Sequence, residues 1–164
     1  MRRLLFVLCL LVPVAARASG DKLNVSIGGG VDSGDSTGWA VRLGETMEVT
    51  DTDEGLIYGT TCGYDYWRAS TSSGLNIPIG GYVGARTHDI TTTFGAGVGL
   101  LAAEKMRGDA GFGVVPYVRA ALGFELAGRR TITVDGRMSR HALVDVADFT
   151  RWSVLVMYGT TFAH

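Results

Sequence analysis

The sequence predicts an all-β protein, an eight-stranded antiparallel up-and-down β-barrel of the transmembrane type. Three observations carry that expectation. Apolar residues recur at every second position through most of the chain beyond Leu23, the period of a strand with two different faces. The clear segments run about 9–14 residues, against the roughly 9–11 that a tilted strand needs to cross a bilayer. Hydrophobic residues make up 46% of the 164, glycine supplies 24 of them, and charged residues only 19%. A solvated surface normally carries more charge than that. No stretch keeps a helical period over three turns.

The chain opens with an address. Arg2 and Arg3 precede the apolar run Leu4 to Val14, which is too short to span a bilayer, and Ala16-Arg17-Ala18 places small residues at a cleavage site. Residues 1–18 are expected to be a signal peptide cut before Ser19, leaving 19–164 as one barrel domain. Cys9 lies within the apolar run and not after a small-residue lipobox, so a lipidated N-terminus is not expected. Cys62 is then the one cysteine of the mature chain, and an internal disulfide is excluded.

The segments follow in order. In the first, Leu23, Val25, Ile27 and Val31 alternate with Asn24, Ser26, Gly28, Gly30 and Asp32. In the second, Trp39, Val41, Leu43 and Met47 oppose Ala40, Arg42, Gly44, Thr46 and Glu48. The third sets Leu56, Tyr58, Cys62, Tyr64 and Tyr66 against Ile57, Thr61, Asp65 and Trp67. The fourth sets Leu75, Ile77, Ile79 and Val83 against Asn76, Pro78, Tyr82 and Arg86. The fifth sets Ile90, Phe94, Val98 and Leu100 against Thr91, Thr93 and a glycine run. The sixth sets Phe112, Val114, Val118 and Phe124 against Val115, Tyr117, Arg119 and Glu125, with Pro116 removing one ladder hydrogen bond. The last is the most regular: Trp152, Val154, Val156, Tyr158 and Phe162 oppose Ser153, Leu155, Met157, Gly159 and Thr161. Turn-forming clusters such as Ser33–Gly38 and Ser70–Gly74 separate these segments. Between Thr131 and Thr150 the pattern is weaker, because Asp135-Gly136 is also a hairpin-turn pair. One strand starting near Thr131, followed by the longest loop, brings the count to eight. The other loops are expected to be short, about 3–8 residues, which leaves little protruding surface.

Alternation alone does not separate a soluble barrel from an inverted one. The inward set is rich in Gly, Ser and Thr, which suits the narrow interior of eight strands. Aromatics gather near segment ends, as in interfacial girdles: Trp39, Tyr64, Tyr66, Phe112, Phe124, Trp152 and Phe162. The apolar set is also too large and too continuous to fit inside one small barrel. These observations favour lipid outside. The alternative is a soluble exported barrel, periplasmic or secreted, that binds an apolar ligand. Glu45 falls on the lipid side, where Gly44 is expected to mark a bulge that turns it away.

The pattern resembles small Gram-negative outer-membrane barrels of the OmpA/OmpX-like superfamily. Their last strand carries an assembly signal, and here Tyr158, Gly159, Phe162 and His164 stand in its positions, with Met157 at the polar slot and His164 where Phe is usual. The resemblance implies outer-membrane localisation, contact with outer-membrane lipid and insertion by the outer-membrane assembly machinery. It implies no particular activity.

Six charges fall on the inward face of the clear strands: Arg42, Glu48, Asp65, Arg86, Arg119 and Glu125. Ions in a narrow lumen must be paired, so a salt-bridged plug is expected there, with a gate or ion path as the functional variant. Ser139, His141 and Asp145 form the one set resembling hydrolase chemistry, but lack the His-x-Ser order that lipid A deacylases carry; a lipid-modifying enzyme is the second alternative. Three scattered histidines make no metal site, and no cofactor is expected. The net charge of −1 argues against nucleic acid as a partner. A structural role, or the passage or binding of a small solute without catalysis, is the expected function; the ligand is not legible.

Overall fold

Period-2 alternation becomes eight long strands in the computed structural model, which describes residues 22–34, 36–49, 54–105, 110–143 and 146–163. They are β1 (Lys22–Ser33), β2 (Thr37–Glu48), β3 (Gly55–Ala69), β4 (Ser72–Thr87), β5 (Ile90–Lys105), β6 (Ala110–Leu126), β7 (Arg130–Leu143) and β8 (Val146–Ala163). Each pairs antiparallel with the next, and β1 pairs with β8 from Lys22↔Ala163 to Ser33↔Trp152, so the sheet closes. Closure removes both edges, which an open sheet of this apolarity would expose to aggregation. The expected signal peptide, its cleavage site, Asp145 and His164 lie outside the described residues.

The barrel has a near end, where β1 begins and β8 finishes, and a far end. β2, β4 and β6 finish, and β3, β5 and β7 begin, at the near end; β1, β3, β5 and β7 finish, and β2, β4, β6 and β8 begin, at the far end. Near-end turns use left-handed backbone at Gly128 (φ 78°) and Arg129 (φ 62°), and at His88 (φ 50°). The expected long loop after the seventh strand is absent, since β7 runs on to Leu143 and β8 starts at Val146. Asp135 and Gly136 pair with Leu155 and Val154 in the middle of the β7–β8 ladder. An acid can sit mid-strand here because luminal arginines meet it.

The outer wall is apolar. Ile27, Leu43, Ile79, Phe94, Val114 and Val156 are all between 44% and 61% exposed, although they are the residues a soluble fold would bury. On β7 the outward positions run Arg130, Ile132, Val134, Gly136, Met138, Arg140, an apolar stretch closed by an arginine at each end. Ten residues at about 3.4 Å each, tilted by about 40°, rise roughly 26 Å, the height of the apolar band of a membrane barrel. Trp39 and Tyr66 pack as a tilted ring pair, centroids 5.6 Å apart, near the far end of this wall. The inverted arrangement is therefore the one adopted, and the soluble-barrel alternative fails on its own exposed wall.

One local expectation changes. The β1–β2 and β2–β3 registers run unbroken through Gly44 and Glu45, so no bulge turns the acid inward. Gly44 faces the lumen, and Glu45 stays outside, accepting a weak hydrogen bond from Cys62 Sγ at 3.8 Å. Pro116 stands where one ladder stops among the described residues: β6 pairs with β5 as far as Ala110, but with β7 from Tyr117↔Ser139. A residue with no N–H cannot carry the ladder further.

Candidate functional site: the barrel lumen

Inward positions determine what the interior can do, and the two ends are filled differently. Toward the far end, Ala40, Trp67, Leu101, Val115, Leu155 and Met157 form a buried apolar cluster. The inward face was expected to be small and polar; in this half it is a packed core. The inward glycines make room for it. Gly74 stands opposite Trp67, and a Cβ there would fall inside the indole ring; Gly80 and Gly97 likewise lie under the Tyr117 hydroxyl. Much of the glycine content is thus seating for a few large inward side chains in a narrow tube. Arg151 lies 3.9 Å above the Trp67 ring and donates from Nε to Asp32 Oδ1 at 2.6 Å.

Below this core lies a charged waist. Arg42 donates from Nε to Asp65 Oδ1 at 2.5 Å and from Nη1 to Asp135. Arg119 donates from Nε to the second oxygen of Asp135. Arg137 donates from Nη1 to Asp65 Oδ2 at 2.7 Å, with its guanidinium 4.5 Å from the Tyr117 ring centre. Asp65 and Asp135 each accept from two arginines, and all five side chains are at most 9% exposed. Such ions persist away from water only when paired and hydrogen-bonded together.

Toward the near end the lumen opens. Arg86 meets Glu48 through two hydrogen bonds, Nη1–Oε1 at 2.9 Å and Nη2–Oε2 at 2.5 Å, and its Nε reaches Thr91 Oγ1 at 3.4 Å. The Asn24 amide donates to Thr131 at 2.9 Å and Thr161 at 3.0 Å. Together with Thr93, Thr133 and Tyr82, these residues line a cavity of about 450 Å³. Arg119 lies at its inner end.

Of the six charges singled out in the sequence, Arg42, Asp65 and Arg119 lie in the waist, and Glu48 and Arg86 pair below it. Glu125 does not join them. It is exposed at the near-end mouth, with no ion pair among the described residues, because β6 there has already reached open solvent. Sequence reasoning missed Asp32, Asp135, Arg137 and Arg151. Asp32 stood on the inward parity of the first segment, and Arg151 one step before the regular ladder at Trp152. Asp135 and Arg137 were masked by the Asp-Gly turn signal.

Ser139 is buried on the inward side of the wall, paired with Tyr117 and Arg151, and so points away from lipid. Among the described residues no group of three or more His, Cys, Asp or Glu could hold a metal ion. In the last strand Tyr158 and Phe162 face outward and Gly159 inward.

No family model matches the chain, and no curated protein matches it by sequence. Solved structures do match by shape. Neisserial surface protein A superposes with a TM-score of 0.63 at 13% identity, over 88% of this chain and 98% of that one. The N-terminal β-barrel domain of Pseudomonas aeruginosa OprF gives 0.61 at 11% identity, over 88% and 98%. The outer membrane enzyme PagL gives 0.56 at 18% identity, over 85% and 98%. In fold, this chain is a closed eight-stranded antiparallel barrel like those three.

Proposed function

We propose that this protein is a resident of the outer membrane that neither catalyses a reaction nor conducts solutes, and that it acts as a sealed barrel with a binding role. The observation that carries this reading is the waist. Arg42, Asp65, Arg119, Asp135 and Arg137 close the lumen with shared hydrogen bonds, and the Trp67 cluster packs behind them. A solute crossing end to end would have to break several buried ion pairs and displace a packed core. The inward burial of Ser139 supports the absence of a lipid hydrolase site on the wall. Residues 1–18 serve as the export signal in this reading, and Tyr158, Gly159, Phe162 and His164 are presented to the outer-membrane assembly machinery.

The test is electrical. Purified barrel inserted in planar bilayers should give no current steps at either polarity. Stepping or steady conductance from the wild-type protein would overturn the sealed reading. Unchanged lipid A masses on expression in a Gram-negative host would agree with a non-catalytic role; a new deacylated or acylated species would refute it.

A further inference from the structure

We propose that the near-end cavity is a binding site for a small, neutral, polyhydroxylated solute, a sugar or polyol of monosaccharide size. The inference rests on the sealed reading, because a closed waist turns the cavity into a cup with a floor. Its volume, about 450 Å³, falls within the range of roughly 300–1,000 Å³ usual for small-molecule sites, and barrel mouths are a preferred place for them.

The chemistry of the wall selects the ligand class. Thr91 and Thr93 on β5 and Thr133 on β7, with β6 between them, bring hydroxyl side chains to the cavity wall. Tyr82 lines the same cavity and is only 7% exposed, so its phenol edge is one more fixed polar group on the wall. A hydroxyl on a cavity wall can exchange a water for a ligand hydroxyl at little cost. The charges on the inner walls are already engaged, Arg86 with Glu48 and Arg119 with the Asp135 that Arg42 shares, while Lys22, Asp89, Glu125 and Arg129 line the cavity in both signs. A charged solute would lose its hydration and find no free counter-charge deep in the cup. A neutral polyol would exchange water for hydroxyls that both donate and accept. The paired Arg86 and Glu48 add donors and acceptors side by side, and neither ion need be released.

The experiment is a titration of the refolded barrel in a sugar-free phosphocholine detergent, with glucose and myo-inositol as probes and threonine methyl NMR as readout. Saturable shifts are expected at Thr93 and Thr133, with none at residues of the far-end core. Tyr82→Phe should weaken binding by about five- to tenfold, the effect of one lost hydrogen bond in a buried site. Thr133→Leu, which removes a wall hydroxyl and narrows the cup, should weaken it further. Ser153→Ala in the packed half should leave it unchanged. Non-saturable shifts, or shifts indifferent to Tyr82→Phe and Thr133→Leu, would overturn the site, as would tighter binding of glucuronate than of glucose. The two readings fail separately. Conductance by the wild-type barrel sinks the sealed lumen, whereas a silent barrel that binds neither probe sinks only the cup.

Discussion

The two halves of the lumen are built on the same strands, with the same alternation, and yet have opposite characters. Toward the far end, inward positions carry Trp67, Leu101 and Val115, which join Leu155 and Met157 at mid-height in one buried apolar cluster. Toward the near end, the same strands carry Thr61, Thr93, Gly123, Thr133 and Gly159, and a cavity remains. The difference teaches that parity decides only which face a residue occupies. The size and polarity of the inward residues decide whether that face becomes a core or a cup. The arginine–aspartate waist sits where the two regimes meet, and it supplies the packed half with a floor of shared ion pairs.

The largest break in this contrast should come from the waist. Asp135→Ala leaves the Arg42 and Arg119 guanidiniums short of a shared acceptor in a buried site, and should destabilise the barrel by about 3–5 kcal/mol in urea unfolding. Trp67→Ala empties the packed half, at a cost of about 3–5 kcal/mol, and should let ions leak through a planar bilayer if the waist loosens with it. On the outer wall, Val156 is in register with Val134, midway between the flanking arginines of β7, and Trp152 is in register with Met138 near the far rim. Val156→Arg should therefore cost about 2–4 kcal/mol and reduce the heat-modifiable, membrane-inserted fraction, with Trp152→Arg distinctly milder. Equal damage at both would mean that depth plays no part. The smallest effect belongs to the cup. Thr133→Val removes a hydroxyl from the wall of an open cavity and should shift stability by no more than about 0.5 kcal/mol. A large loss there would show that the cup is as tightly packed as the far half.

The strand count, the antiparallel order and the in-or-out parity of nearly every strand were legible, because period-2 alternation is a direct imprint of a two-faced wall. The packed half was harder to read. Leu155 and Met157 were seen on the inward parity of the last strand, but nothing in one strand reveals that Trp67, Leu101 and Val115 arrive at the same height from others. That coincidence depends on register, which the sequence does not state. Asp135 shows a second limit. Asp-Gly in isolation favours a turn; three strands away Arg42 offers a partner, and the buried pair outweighs the local preference. Glu45 shows a third, since an unbroken register keeps this acid on the outer wall, where polarity arguments would not put it.

Access of water to the two halves is the most direct test of this account. In a Cys62→Ser background, Thr133→Cys and Ser153→Cys each place a thiol on an inward position, one in the cup and one in the packed half. A charged, water-soluble methanethiosulfonate reagent added to the barrel in lipid vesicles should modify Thr133→Cys readily. Ser153→Cys should stay unmodified until the protein is unfolded. Similar labelling rates at the two positions would contradict a lumen sealed on one side and open on the other.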